Sequence, residues 1–261
     1  TKIHSIAGVL PPGSGLLSRR SFRAPHHTMS TVAMAGGGAS LRPGEVSLAH
    51  GGVLFLDELA EFRRETLEVM RQPMEDGLVT IARAARTVTF PARFTLAAAL
   101  NPCPCGYAND PRRNCLCSPV KIARYLAKIS GPLLDRIDLQ IEVAALSTDE
   151  IASTEPAEPS AAIRARVEAA RQIQHERFAQ SGIRCNAEMS ARHMRSHCEL
   201  DPASRHLLLT AIERLGLSAR AHDRILKVAR TIADLAGHER IEASHVAEAV
   251  QYRALDRGYF R

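Results

Sequence analysis

The run Val53-Leu54-Phe55-Leu56-Asp57-Glu58 constrains this chain more than any other. Four apolar residues without alternation suit a strand buried on both faces, the habit of a parallel sheet. Gly51-Gly52 punctuates the chain just before it. Such a strand delivers two carboxylates to the carboxyl edge of the sheet, where ligands of parallel sheets bind. In a nucleotide hydrolase the first carboxylate holds the Mg²⁺ shell and the second polarises the attacking water. The local alternative is a helix start, since Asp57 followed by acids also suits an N-cap.

The neighbouring residues read as the rest of an α/β unit. A helix is expected after Glu58, with Leu59, Phe62, Thr66 and Met70 on one stripe and Glu61, Glu65 and Glu68 off it. Val79 and Ile81 alternate with Thr80 and Ala82, and Val88 and Phe90 with Thr87 and Thr89. That pattern predicts a hairpin over 78–91 with Arg83-Ala84-Ala85-Arg86 at its tip. Phe94–Leu100 reads as a second buried strand ending at Asn101. Ser118-Pro119 is a cap and first-turn pair for a helix bearing Ile122, Tyr125, Leu126 and Ile129. Ile137, Leu139, Ile141 and Val143 alternate as a last strand.

Composition shifts once along the chain. Residues 1–146 hold the strand patterns, 147–160 form a Pro/Ser/Glu linker, and 161–261 read as helices throughout. Ser160 is positioned to cap a helix with Ile163, Val167, Ala170 and Ile173. Asp201-Pro202 starts another that Gly216 ends, and Ser218 and Ser244 are candidate caps for the last two.

With 45% hydrophobic and 24% charged residues in 261, the chain has material for a core and is not a disordered polymer. The net charge of +6 permits a polyanionic partner without demanding one. Aromatics are 4% with no Trp, which argues against a surface of stacked rings for reading single-stranded bases. No apolar run approaches the roughly 20 residues that span a bilayer. The chain opens Thr1-Lys2-Ile3-His4, with neither a signal-peptide pattern nor a Met. A cytoplasmic location is expected, and a piece of a longer protein.

Further polar residues converge on the same edge. Asn101 ends the strand after the carboxylate pair, so an amide arrives beside Asp57 and Glu58, where it can orient a water. As a turn residue before Pro102 it has a local explanation too. Arg136 lies in Leu133-Leu134-Asp135-Arg136-Ile137-Asp138, just before a strand pattern. Arg220 follows Ser218 in a first helical turn, where the macrodipole disfavours a cation unless an anion is near. A surface ion pair, with Asp135 or Asp223 respectively, explains either arginine without a ligand.

Taken together, Phe22-Arg23-Ala24-Pro25-His26-His27-Thr28, Arg42–Glu45 with Leu48-Ala49-His50, Gly52–Glu58, Gln72–Gly77, Asn101–Gly106 and Leu133–Asp138 resemble the magnesium-chelatase-like AAA+ ATPases, and among them the YifB/ComM branch. The resemblance covers nearly the whole chain. It implies a P-loop NTPase-like parallel sheet followed by an all-α lid. It implies that Asp57 and Glu58 are the Walker B pair, with Asp57 a metal-shell ligand and Glu58 the catalytic base. Asn101 would be sensor 1, Arg136 the arginine finger serving a neighbouring subunit, and Arg220 the sensor 2 arginine of the lid. ATP and Mg²⁺ are the implied cofactors, and a homo-oligomeric ring, usually a hexamer, the implied assembly. The YifB/ComM branch points to a DNA-translocating motor in branch migration during competence. The chelatases use the same engine to remodel a protein partner.

The chain departs from the family pattern in one respect: no G-x-x-x-x-G-K-[ST] occurs in it, and Pro12-Gly13-Ser14-Gly15 lacks the lysine and hydroxyl. Without a P-loop, nothing cradles the β- and γ-phosphates. ATP hydrolysis is therefore expected of the complete protein. For these residues alone a non-hydrolysing, zinc-stabilised binding module is the alternative.

Arg83 and Arg86 resemble a pre-sensor hairpin tip pointing into a ring's pore, where they would follow a phosphate backbone and make binding salt-dependent. A solvated hairpin tip is the plain alternative. Arg23–Ser47 resembles a second pore insert, and Gly36-Gly37-Gly38 suggests a mobile loop within it.

Cys103-x-Cys105 and Cys115-x-Cys117 are two close pairs, and four thiolates suit a closed, structural Zn²⁺ site. Four reduced thiols near a turn are the alternative. His193, His197, Cys198 and Cys185 read as a polar helix face. His26-His27 reads as packing or hydrogen bonding.

Overall fold

The computed structural model describes residues 1–13, 15–83, 86–108, 110, 112–153 and 156–253. The chain divides into two compact units, Thr1–Ile137 and a second that begins at Asp138. Within the first, seven short strands are β1 (Phe22–Arg23), β2 (Gly36–Gly37), β3 (Arg42–Pro43), β4 (Val53–Leu56), β5 (Leu78–Arg83), β6 (Arg86–Pro91) and β7 (Thr95–Ala98). β1, β4 and β7 form one parallel sheet in that order.

β4 is central because its residues have the most to bury. Leu54 and Leu56 are fully buried, whereas Val53 and Phe55 are only half-buried, so one face of the sheet is better covered than the other. Leu54 and Leu56 meet Leu59, Phe62, Leu67, Met70 and Leu133 in the core. Each such side chain contributes about 1.5–3 kcal/mol on leaving water.

The stripe Leu59, Phe62, Thr66 and Met70 is wholly inside, as its spacing predicts. The backbone that carries it is not one helix. A 3₁₀ turn at Leu59–Glu61 gives way to extended Phe62 and Arg63, then to helices Arg64–Glu68 and Arg71–Asp76.

β5 and β6 pair antiparallel with Val79 opposite Phe90 on the core side. Thr80 and Thr89 face each other on the exposed side with their hydroxyls 3.0 Å apart. Period-2 alternation is satisfied by one buried face.

Gly36-Gly37-Gly38 is not a slack loop. Gly36 and Gly37 pair with Pro43 and Arg42. A Cβ on Gly36 would lie 2.6 Å from the Arg42 carbonyl oxygen, and one on Gly44 would lie 2.3 Å from the Gly36 nitrogen. These glycines let two backbones touch. Arg23 clamps the base of the segment with a two-pronged ion pair to Glu45, both contacts at 2.6 Å.

The strand expected over Ile137–Val143 does not form. The chain there is irregular, with Leu139, Ile141 and Val143 exposed. Alternation supplies a face but not a partner, and no strand among the described residues pairs with it. The strand expected over Phe94–Leu100 is realised as Thr95–Ala98.

The second unit is helical. Asp201 caps Pro202–Leu215 by accepting from the Ser204 N–H at 2.6 Å, and Gly216 ends that helix with φ 58°. Ser218 caps Ala219–Leu235. The first long helix, Ser160–Arg177, has Pro159 at its N-cap position, with no side-chain cap bond, and Ser160 as its first residue. It buries Ala170 and Gln174 while Ile163 and Val167 stay exposed. The last helix, Ala243–Gln251, is capped at Glu242 rather than Ser244, with the Glu242 N–H donated to His245 Nδ1 at 3.0 Å. The Pro/Ser/Glu stretch contains a short helix, Thr148–Ala152, closed by a Ser147–Glu150 capping box.

One polar network organises this unit. The Asp234 carboxylate is fully buried and accepts from Arg177 at 2.5 and 2.8 Å, from Arg230 Nε at 3.0 Å and from Asn186 Nδ2 at 2.7 Å. Burial, the largest influence, would raise its pKa. The hydrogen bond from Arg177, with Asn186 and Arg230, overrides that and holds it below the usual carboxylate range. His193 and His197 sit edge-on to Phe178, at 6.2 and 5.6 Å between ring centres.

Candidate functional site

β4 ends at Leu56 and hands the chain directly to Asp57 and Glu58, both exposed. Glu58 adopts a left-handed backbone, φ 51° and ψ 50°, and its N–H donates to Asp57 Oδ1 at 2.9 Å. A non-glycine residue held there costs about 1–3 kcal/mol and persists where surrounding contacts impose it. Here Leu59 donates its N–H to the Ala99 carbonyl at 2.9 Å, and Ala99 donates to the Leu56 carbonyl at 3.0 Å. The same two bonds tie the end of β7 to the end of β4. Asn101, also exposed, follows two residues after Ala99. The parallel register therefore brings Asp57, Glu58 and Asn101 to one sheet edge.

His27 joins this edge from a loop more than twenty residues upstream. Its Nδ1 lies 3.1 Å from Glu58 Oε2. The ring packs against His26 at a tilt of 34°, with centroids 4.0 Å apart, and meets Phe62 edge-on at 6.3 Å. His26 in turn bonds Thr28 Oγ1 at 2.9 Å. The packing and hydrogen bonding expected of His26-His27 are present. Sequence reasoning missed that the partner is Glu58, a contact that exists only once β1 and β4 are aligned.

Arg136 is buried, with 7% of its side chain exposed. It is ion-paired to Glu75 and donates to the Pro132 carbonyl at 2.7 Å. Glu75 and Arg136 line an open cavity of about 480 Å³ with Glu68, Arg71, Asp76 and Thr80. Arg220 is exposed in the first turn of Ala219–Leu235, two residues after the Ser218 cap. Arg86 is exposed where β6 leaves the hairpin tip. The side chain of Arg83 and residues Ala84 and Ala85 lie outside the described residues.

The four cysteines of 103–117 converge. Their sulfurs all lie within 4.8 Å of one another. The Cys103–Cys105 separation is 3.3 Å, and Cys103–Cys115 and Cys105–Cys115 are each 3.6 Å. These are free thiols, with no disulfide among them. Sulfurs on a tetrahedral Zn²⁺ with bonds of about 2.3 Å sit roughly 3.8 Å apart, so the spacing suits such an ion.

Backbone N–H groups favour thiolate at two of the sulfurs. The Tyr107 N–H is the main cause of a Cys105 pKa lowered to about 6. The Cys117 N–H, 3.4 Å from Cys115 Sγ, is the largest single influence on Cys115. Desolvation and the neighbouring thiols outweigh it and push Cys115 up to about 12. One thiolate opposes the next, and a cation removes that opposition. The cluster can hold a metal.

A second group, His238, Glu242 and His245, also comes within 4.8 Å. There His245 Nδ1 already accepts the Glu242 N–H, which leaves its proton on Nε2 and binds the ring into the cap.

A three-stranded parallel sheet with carboxylates at its edge, joined to a helical unit, defines an AAA+-type α/β core with its helical domain. Residues 1–151 match the family described as magnesium chelatase, subunit ChlI, and residues 157–253 match its C-terminal counterpart. The chain is 47% identical over 240 residues to the competence protein ComM of Haemophilus influenzae, covering 92% of this chain and 46% of ComM. It is 45% identical over 240 residues to YifB of Escherichia coli, with the same coverage. YifB of Salmonella typhimurium is 45% identical over 241 residues, again 92% of this chain and 46% of the relative. The chain belongs to the magnesium-chelatase-like AAA+ family, in its YifB/ComM branch, and spans about half the length of these relatives. No described helix is long and apolar enough to cross a membrane.

Proposed function

We propose that the complete protein is an ATP-driven AAA+ ring motor that acts on DNA in a competence-related, helicase-like role. The observation that carries this reading is the meeting of Asp57, Glu58 and Asn101 at the ends of adjacent parallel strands, with Glu58 tethered to His27. Two exposed carboxylates in sequence, one bonded to the other's N–H, fit the demands of a Mg²⁺–nucleotide edge. Bound Mg²⁺ would neutralise phosphate charge. Asp57 would hold the metal's water shell, Glu58 would accept a proton from the attacking water, and Asn101 would orient that water. Arg220 would be the sensor 2 arginine, as the family resemblance implies.

Arg136 serves as the finger for a neighbouring subunit in a hexameric ring. To do so it exchanges its ion pair with Glu75 for a phosphate. Arg86 and Arg83 follow the DNA backbone from the hairpin tip. The competence name of a relative at 47% identity supports the competence-related role. The Cys103, Cys105, Cys115 and Cys117 sulfurs, all within 4.8 Å of one another, would hold a structural Zn²⁺ as a closed four-ligand set. The motor works in the cytoplasm.

The test is ATP hydrolysis by the full-length protein with and without branched DNA. The expected result is hydrolysis that DNA accelerates, with the acceleration falling steeply as salt rises. Hydrolysis indifferent to DNA would move the function to remodelling of a protein partner. No hydrolysis under either condition would overturn the motor and leave a binding module.

A further inference from the structure

The insert that carries the four cysteines begins and ends at telling places. Cys103 is two residues beyond Asn101. Cys117 is the residue before Ser118, whose hydroxyl caps the helix Pro119–Leu126 by accepting from the Lys121 N–H at 3.3 Å. That helix buries Tyr125 and Leu126 in the same core as β4. One end of the insert is thus anchored to the core by a helix, and the other leads straight to Asn101.

Between Asn101 and the sulfurs the chain has little freedom. The run is Asn101-Pro102-Cys103-Pro104-Cys105. Each proline fixes its own φ and confines the residue before it to extended conformations. Asn101 and Cys103 are both such residues. Cys103 is fully buried, and its carbonyl accepts the Gly106 N–H at 3.0 Å. A displacement of the Cys103 or Cys105 sulfur is therefore passed to Asn101 through a stiff lever.

The described residues between the cysteine pairs form no helix or strand. Among their internal contacts are a turn from Asp110 N–H to the Tyr107 carbonyl at 3.2 Å, the Arg112 N–H donating to Asp110 Oδ1 at 2.8 Å, and an Arg113–Tyr107 contact at 2.7 Å. With no regular element among its described residues, the loop is closed by what joins the sulfurs.

We propose that a single Zn²⁺ held by Cys103, Cys105, Cys115 and Cys117 is the positioning element for Asn101, locking that amide at the sheet edge beside Asp57 and Glu58. Loss of the metal uncouples Asn101 from the core while β4 stays in place. The inference rests on the assignment of Asn101 to ATP hydrolysis, but it makes structural claims of its own.

The experiment uses the full-length protein as isolated. Metal content is measured first, and one zinc per chain is expected. Replacement by Co²⁺ should give the visible absorption of a tetrahedral tetrathiolate. Hydrogen exchange is then compared between the native protein, a Cys115→Ser/Cys117→Ser variant and a Cys117→His variant that keeps a zinc ligand. The expected result is faster exchange in peptides covering 99–108 of the double-serine variant, unchanged exchange in β4, and protection restored by Cys117→His. Steady-state kinetics should show kcat lowered at least about tenfold with ATP affinity changed less than about twofold, because a water-orienting group acts mainly in the transition state.

Substoichiometric metal, or a double-serine variant with native exchange at 99–108 and native kcat, overturns the proposal. Iron in place of zinc overturns the assignment of the ion. If the variant fails to fold, exchange in native protein stripped of metal by a chelator decides the same question. Absence of ATP hydrolysis in the zinc-loaded native protein refutes the motor, and the exchange data then judge the zinc lever by themselves.

Discussion

Two aspartates mark the difference between the halves of this molecule. Asp57 stands exposed at the end of β4, where its carboxylate accepts the N–H of the next residue. Asp234 is fully buried in the helical unit, where Arg177, Arg230 and Asn186 together supply its partners. A carboxylate surrounded by protein donors is committed to holding the fold. One left at a sheet edge keeps its lone pairs for something that arrives from outside. The contrast shows that burial and partner count, more than residue type, separate architecture from chemistry here.

Substitutions on the two sides should divide cleanly. Glu58→Gln in the full-length protein should lower ATP turnover by roughly 10²- to 10⁴-fold, the usual range for loss of a general base. Its unfolding free energy in urea should stay within about 0.5 kcal/mol of native, as for exposed positions. A midpoint that drops with the rate would erase the distinction.

Asp234→Ala should cost about 3–5 kcal/mol of stability, because Arg177 and Arg230 are left buried without their carboxylate. Urea denaturation of the helical unit measures it. His27→Ala should reduce turnover by about tenfold with little change in stability, since the tether it makes to Glu58 is partly exposed. A change in ATP affinity with unchanged turnover would show that His27 serves binding instead.

The pH response should follow Asp234. Its pKa is lower folded than unfolded, so its contribution is complete above the ordinary aspartate value of about 3.9 and is lost as pH falls through the lower folded value. Denaturation midpoints measured from pH 7 down to pH 3 should hold steady and then decline below about pH 4, and Asp234→Ala should flatten that decline. The smallest effect belongs to Ser218→Ala, which removes the bond to the Ala221 N–H and should cost about 1 kcal/mol.

Much of the first unit is legible because its determinants are local. An unbroken apolar tetrad makes β4, and alternation at every second residue makes the hairpin β5–β6. Ser118, Asp201 and Ser218 announce helix starts because a short oxygen-bearing side chain bonds a backbone N–H three residues on. The Cys-x-Cys pairs point to one another by type and spacing, and their sulfurs meet. Where pattern and structure part, the missing element is a partner. Residues 137–143 alternate as a strand does, yet a strand is stable only against another. Ile163 and Val167 share a helical stripe, yet they stay exposed among the described residues.

The candidate site divides in the same way. Asp57, Glu58 and Asn101 are readable as residues that end strands, since the edge they reach follows from the parallel order. The contact of His27 with Glu58, the ion pair of Arg136 with Glu75 and the network around Asp234 join residues 31, 61 and up to 57 positions apart. Their approach is fixed by how strands align and helices pack. No periodicity in the chain encodes it. Sequence alone determined which segments turn, extend or coil and which side chains they carry to an edge. Tertiary packing decided which of those side chains are spent on one another, because burial makes an unpartnered charge too costly to leave.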